Sequence, residues 1–186
     1  MLEIDHLIAF LPGPPDPTEL SELSKGFFLD EGTRHVGQGT RNRRIRFPRH
    51  YVELLWIDEP SAEEASGLEF AARCARTAYP FGVVLRGTVP EGHFRRYTVP
   101  DGPTLAIHEG TPDMPFLAVA ELSDDDLGGL RHTLTPPHKS GAKGIVAARM
   151  TGAVAPGPAL PGVSITPTGD PSLRLLLDSG TPLVLT

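Results

Sequence analysis

The sequence predicts an α+β fold of paired βαβββ modules, the second degraded in its helix, followed by a set of terminal strands. Three observations carry that prediction: short apolar runs with period-two alternation, a well-signalled helix start after the first run, and Gly and Pro residues that punctuate the runs along the whole chain. Residues 2–10 alternate loosely, which places Ile4, His6, Ile8 and Phe10 on one face of a strand. Pro12, Pro14 and Pro15 break that strand, and Asp16-Pro17-Thr18-Glu19 reads as a helix start with Asp16 as N-cap, Pro17 at N1 and Glu19 at N3. Leu20 and Leu23 give the helix a buried edge, and Gly26 ends it. Residues 31–40 form a polar connection in which Gly37 and Gly39 permit positive φ, and strands follow over 41–47 and 51–57. Residues 61–77 open on a capping box, Ser61-x-x-Glu64, and carry Leu68, Ala71, Ala72 and Ala75 at helical spacing. Extended runs then recur over 81–86, 96–99, 104–108 and 116–122, with only residues 90–94 available for a helix between the first two. A helical turn is expected over 124–130, a connector comes next, and strands resume at 144–150, 164–166, 173–178 and 182–185. The expected organisation is therefore a single domain, 1–186, made of a first module (1–60), a joining helix (61–78), a second module (79–123), a connector (124–143) and terminal strands (144–186).

Composition narrows the function classes. A chain of 186 residues suits one domain or two half-size modules sharing a core. Seventeen Lys and Arg against 23 Asp and Glu give a formal charge of −6, which offers no overall attraction to nucleic acid or to an anionic membrane. No apolar run approaches the ~20 residues that span a bilayer, the first residues are acidic where a signal peptide is basic, and the lone Cys74 cannot form an intramolecular disulfide. A cytoplasmic location is expected, with a small-molecule ligand, no nucleic-acid or membrane partner, and a homodimer as a possible assembly, because strand-rich modules leave edges to be paired.

Particular segments resemble a known family. Ile4-Asp5-His6-Leu7, the run Gly37-Gln38-Gly39-Thr40-Arg41-Asn42-Arg43-Arg44, and Tyr51-Val52-Glu53-Leu54-Leu55-Trp56 are similar to landmarks of the glyoxalase-like domain family of the vicinal-oxygen-chelate superfamily, in its poorly characterised bacterial branch. Pro80-Phe81-Gly82-Val83-Val84-Leu85-Arg86 and His138-x-x-Gly141 look like further landmarks; the match is dense over residues 3–60 and sparse afterwards. The resemblance implies paired modules around a cup, with a divalent metal held by His and Glu from the first and last strands of each module. On that pattern His6 matches the first-strand metal ligand and Glu53 the last-strand ligand, and zinc, iron, manganese or nickel would suit such a pair as a Lewis acid. The second module offers no matching pair: no His lies in 81–86, and Glu121 is the one carboxylate near the end of 116–122.

Each candidate also has an ordinary structural reading. His6 would be a hydrogen-bonded residue at the core edge, and Glu53, sharing a face with Tyr51 and Leu55, would be ion-paired to an arginine. Arg41, Arg43, Arg44, Arg46, Arg49 and His50 form a basic cluster in an acidic chain; the expected account is a solvated strand edge, and the functional one is recognition of a carboxylate or phosphate on a small substrate. Gly37-Gln38-Gly39-Thr40 is not a nucleotide loop, since the Gly-Lys-Ser/Thr ending and the following helix are absent; Thr40 and Asn42 are instead pocket donors. His93, His108 and Glu109 could complete a metal set with His6, while His132 and His138 read as surface groups. Ser123-Asp124-Asp125-Asp126 reads as a helix N-terminus and not a calcium loop, and Cys74 as a packing residue.

The function expected from these readings is a small-molecule pocket protein. Glu53 is the candidate catalytic group, His6 and Glu53 are candidate metal ligands, and Thr40, Asn42, Arg44 and Arg86 are candidate substrate-binding residues. The chemistry would be that of a divalent-metal-dependent lyase, isomerase or dioxygenase; the alternative is a metal-free binding or sequestering protein of the same fold.

Overall fold

The computed structural model describes residues 2–100, 102–121, 135–156 and 158–186. Its larger sheet has eight strands: β1 (Glu3–Phe10), β2 (Arg34–His35), β3 (Thr40–Arg46), β4 (Tyr51–Ile57), β5 (Phe81–Arg86), β6 (Phe94–Thr98), β7 (Thr104–His108) and β8 (Phe116–Ala120). Their order across the sheet is β2-β3-β4-β1-β5-β8-β7-β6. The first strands of the two modules, β1 and β5, pair antiparallel at the centre, and each is flanked by the last strand of its own module running parallel to it, β4 beside β1 and β8 beside β5. That arrangement is the paired-module architecture expected from the sequence. The first module keeps its helix, α1 (Pro17–Ser24), with the capping box of Asp16 and Glu19 and Pro at its start. In the second, the connection from β5 to β6 carries no helix, and Phe94 opens β6 instead.

Both faces of this sheet are covered. On the back face, Leu7, Val52, Leu54, Val83, Leu85, Leu117 and Val119 share a core with Ile145, Met150, Leu173, Leu175 and Leu177. The latter come from a second sheet of four strands, β9 (Ile145–Thr151), β10 (Val163–Thr166), β11 (Ser172–Leu177) and β12 (Pro182–Leu185), in the order β10-β9-β11-β12. The alternation of Leu173, Leu175 and Leu177 with outward residues is the pattern of a sheet buried on one side. Tyr79 ties the layers together by donating its hydroxyl to the carbonyl of Thr151 at 2.9 Å. The front face carries a second core of Ile8, Phe10, Leu55, Val84, Ile107, Phe116 and Ala118 under Leu68, Phe70 and Cys74.

Four sequence expectations are corrected. The register of β1 on β5 shifts between Ile4 and His6, so Asp5 is a bulge residue; Ile4 joins the back core, whereas Ile8 and Phe10 join the front one. The expected helix over 61–77 is two short helices, α2 (Pro60–Ser66) and α3 (Phe70–Cys74), with Glu59 and not Ser61 at the N-cap of α2. Gly67 at φ 67° and Glu69 at φ 60° make the break. Leu68 and Phe70, two positions apart, would point in different directions from one helix, and the break lets both enter the front core. Buried Glu63 holds the break by accepting from the amides of Phe70 at 2.7 Å and Ala71 at 3.3 Å, satisfying donors that a helix start leaves free.

The third correction concerns His138, which is buried and not a surface group. Its ring lies against Phe27 and Phe47; Nδ1 accepts from the Phe28 amide at 2.9 Å, so the ring proton is on Nε2, which donates to the Arg46 carbonyl at 2.9 Å. The basic cluster is the fourth: Arg44 meets Asp30 at 2.9 Å and Arg49 meets Glu3 at 2.9 Å, so much of it is ion-paired. Gly39, at φ 66°, sits where a Cβ would come within 2.3 Å of the Glu59 carbonyl and the Glu63 amide, which fixes glycine at the turn into β3. The expected turn over 124–130, the run from Ser123 to Asp126, and His132 lie outside the described residues.

Burial pushes the His138 imidazole below its ordinary range, against the opposing pull of its bond to the Arg46 carbonyl. A base whose folded-state pKa is depressed contributes stability that is complete above its unfolded value, ~6.5, and lost as pH falls through the lower folded value. Urea midpoints measured from pH 8 to pH 5 should therefore fall below about pH 6.5, and the fall should be shallower in His138→Gln. An identical pH slope in the two proteins would show that this contact is not the source.

Candidate functional site

A cavity of about 360 Å³ opens on the front face over the four central strands. Its walls differ in character. Ile8, Leu55, Leu68, Phe70, Val84, Leu105 and Phe116 form an apolar side, whereas Asp5, His6, His35, Tyr51 and Glu53 gather at the other, with Arg44, Arg49, His50 and Arg86. The polar side belongs to the first module and its neighbours, because β1 and β4 carry His6, Tyr51 and Glu53 on the face that β5 and β8 fill with Val84, Phe116, Ala118 and Ala120.

Glu53 is the centre of the polar side. It is 4% exposed, and its Oε1 accepts from Asn42 Nδ2. The second amide proton of Asn42 goes to His35 Nε2, 3.2 Å away, which leaves the ring proton of neutral His35 on Nδ1, donating to Thr40 Oγ1 at 2.8 Å. Asn42 Oδ1 accepts from the Thr33 amide at 2.7 Å. The amide of Asn42 is thus fully used in orienting Glu53 and His35. His6 approaches the other oxygen: Nδ1 lies 2.7 Å from Asp5 Oδ2, and Nε2 stands 3.6 Å from Glu53 Oε2. An ionised carboxylate only accepts, so His6 Nδ1 is the donor to Asp5, while Nε2 stands beyond hydrogen-bond distance of Glu53. Tyr51 stacks on the His6 ring at a centroid distance of 4.2 Å.

The charged groups around this centre are largely spent on one another. Arg86, 7% exposed, binds Asp5 at 3.2 Å, Glu3 at 2.9 Å and the Arg49 carbonyl at 3.0 Å. Burial raises the Asp5 carboxyl, but the His6 hydrogen bond and the charges of His6 and Arg86 outweigh it and hold Asp5 below the usual range. Glu3 is lowered by its bond to Arg86. Burial, followed by the negative charges of Glu53 and Asp5, raises the Tyr51 hydroxyl well above its ordinary value. His50 is lowered by burial, although its ring binds the Ile4 carbonyl. Burial pushes the Cys74 thiol up to about 12, which suits a packing residue and not a nucleophile.

The sequence-derived candidates divide accordingly. His6 and Glu53 stand side by side, and Arg44 and Arg86 line the cavity. Thr40 and Asn42 do not: both are buried behind the wall and act through His35 and Glu53. His93, His108 and Glu109 are not among the residues around the cavity, and Glu121 pairs with Arg96 at 3.0 Å. His35 was missed, because a strand of two residues, Arg34–His35, has no periodicity to read; its cross-strand partner Thr40 shows only in the register of β2 on β3.

The donor set does not fit a resident divalent metal. Among the described residues no group of three or more His, Cys, Asp or Glu side chains is arranged to hold one. His35 Nε2 and Glu53 Oε1 are already engaged by Asn42, and the wall from the second module is apolar where a catalytic site would need its third ligand.

A family model described as a glyoxalase-like domain matches residues 4–113. No curated protein matches the sequence. Among solved structures, a hypothetical protein from Staphylococcus aureus is similar, with 18% identity, a TM-score of 0.48, and coverage of 81% of this chain and 70% of that one.

Two outcomes are expected. Asn42→Leu, which leaves Glu53 and His35 without their shared donor, should cost about 1–3 kcal/mol in urea unfolding; a loss below about 0.5 kcal/mol, within the range of ordinary surface substitutions, would show that the network does not hold the site. Chelator-treated protein should show no saturable rise in unfolding temperature on addition of zinc, manganese, nickel or ferrous iron. A rise that His6→Ala abolishes would overturn the donor-count argument.

Proposed function

The chain belongs to the glyoxalase-like domain family, and from that premise we propose that it is a small-molecule pocket protein whose ligand enters the front-face cavity with its polar head against Glu53 and His6. One observation carries this reading: a carboxylate buried in the wall of a cavity stands 3.6 Å from the ring of His6, while the opposite wall is apolar. Buried polar groups are ordinarily satisfied, and Glu53 Oε2, which has His6 Nε2 only at 3.6 Å, favours a donor supplied from the cavity. The apolar side would bury the body of the ligand, and the polar side would set its orientation. Glu53 and His6 are also the groups with which a bound molecule would exchange a proton, so Glu53 is the proposed catalytic residue if the ligand is turned over. Arg44 and Arg86, which line the polar side, are the proposed contacts for ligand acceptors. Asn42 and Thr40 are proposed as positioning residues. Metal-dependent lyase, isomerase or dioxygenase chemistry has less support, because it would require the third ligand that the second module does not supply.

A melting-temperature screen of small organic molecules, with hydrogen–deuterium exchange on each hit, tests the reading. A ligand present at 100 times its Kd should stabilise the protein by about 2.7 kcal/mol. Protection should appear in β1, β4, β5 and β8, and it should be lost in Glu53→Ala. Hits that protect only the back sheet, or that stabilise Glu53→Ala as strongly as the parent, would refute it.

A further inference from the structure

We infer that Gln38 determines which ligand the cavity accepts, and that the ligand carries a neutral amide edge, a carboxamide or lactam, with a donor and an acceptor side by side. This inference rests on the small-molecule reading of the cavity and specifies its ligand class.

The Gln38 side chain is placed in the site without being used by the fold. It lines the cavity and is 9% exposed. Among the described residues its side-chain amide makes no hydrogen bond, and neither of its terminal atoms is sealed inside the protein. Other polar side chains around the cavity are engaged: His35 by Thr40 and Asn42, Arg44 by Asp30, Arg86 by Glu3 and Asp5, and His50 by the Ile4 carbonyl. The Tyr51 hydroxyl also lacks a hydrogen bond, but its ring is already held by stacking on His6. A largely buried amide with no partner in the protein is costly unless something in the cavity bonds it.

The turn that carries Gln38 is fixed. The Gln38 backbone amide donates to the His35 carbonyl at 3.1 Å, and the Gly39 carbonyl accepts from the amides of Asp58 at 2.9 Å and Glu59 at 3.0 Å. Glycine flanks it on both sides at positive φ, 79° at Gly37 and 66° at Gly39. A Cβ on Gly37 would come within 2.9 Å of the Pro100 ring. Pro100 lies in the connection between β6 and β7, and β2 and β6 are the two edges of the sheet, so Gln38 stands where those edges approach each other. Val99 and Pro103, from the same connection, line the cavity beside it. The amide is thus presented from a preorganised backbone.

Its chemistry selects the partner. Whichever way the terminal group is turned, one atom donates and its neighbour accepts, and neither role changes with pH. Water can satisfy both, so a ligand that displaces water there must restore both bonds or lose affinity. A carboxamide or lactam edge restores them with two parallel hydrogen bonds. A ketone or ester bonds the donor and leaves the acceptor bare, and a carboxylate only accepts.

Benzamide and acetophenone, which differ by an amino group in place of a methyl, separate the possibilities when titrated into the full chain at pH 7 and followed by protein chemical shifts. Benzamide should bind about tenfold more tightly, as one further buried hydrogen bond implies, and Gln38→Met should abolish that preference. Gln38→Met should also melt within about 4 °C of the parent, because no hydrogen bond of the fold is removed. Acetophenone binding as tightly as benzamide, or a benzamide preference that survives in Gln38→Met, overturns the amide inference and leaves the pocket reading standing. A larger fall in melting temperature, or loss of the cooperative melt, gives Gln38 a structural role and overturns it too. Binding by neither probe also overturns it, and the pocket reading then falls only if the wider screen finds no ligand.

Discussion

β1 is the strand on which the architecture turns. It lies at the middle of the eight-stranded sheet, parallel to β4 on one side and antiparallel to β5 on the other, and both its faces are covered. A strand in that position can be polar only where every polar group finds a partner, since an unpaired buried group costs more than a hydrogen bond returns. Leu7 and Ala9 meet the requirement on the back face by joining the core shared with the second sheet. On the front face, Asp5 binds Arg86 and His6 binds Asp5, and the bulge at Asp5 is what allows two adjacent residues to meet through their side chains. The polar end of the cavity is therefore a consequence of how a central strand accommodates its own charges.

The two modules use equivalent strands differently. In the first, the front faces of the innermost pair carry His6, Tyr51 and Glu53; in the second, the corresponding positions carry Val84, Phe116 and Ala118. Pairing such halves about β1 and β5 makes a cavity that is polar on one side and apolar on the other. It also divides the two halves of the scaffold, because the second module presents Val84, Phe116 and Ala118 on this face. Covering the apolar half falls to Leu68 and Phe70, which reach the front core because Gly67 breaks the helix and Glu63 caps the first amides of α3.

Much of this was legible in the sequence. Strands β4, β5, β7 and β12 lie where alternation and turn residues put them, and the start of α1 coincides with its capping box. These are features whose signal is local: period two, Pro at N1, a carboxylate three residues on. The features that could not be read depend on pairing. A bulge has no signature within its own strand, so Ile4 was grouped with His6. The break between α2 and α3 answers a tertiary demand, the burial of both Leu68 and Phe70, against an otherwise helical pattern. His138 is polar and comes just after two prolines, which argues for the surface; its burial depends on the Phe28 amide and the Arg46 carbonyl, each roughly a hundred positions away along the chain. The site divides in the same way. Glu53 and His6 stand in segments that the resemblance marks, whereas the contacts of His35 and Asn42 show only in three dimensions.

The arginine-rich β3 sharpens the electrostatic argument. Arg44 stands directly opposite Glu53 in the β3–β4 register, on the same face of the sheet, so a pair between them was available. Asp30 takes it instead, binding the backbone amide as well as the guanidinium of Arg44 and so fixing both strand and side chain. Asn42, one step along the same face, gives Glu53 orientation without charge. The outcome is a buried carboxylate in the wall of a cavity whose ion-pair neighbours, among the described residues, are the His6 and His35 rings and no arginine. An arrangement that spends Arg44 on Asp30 leaves Glu53 to Asn42, to the two histidines and to whatever occupies the cavity beside it.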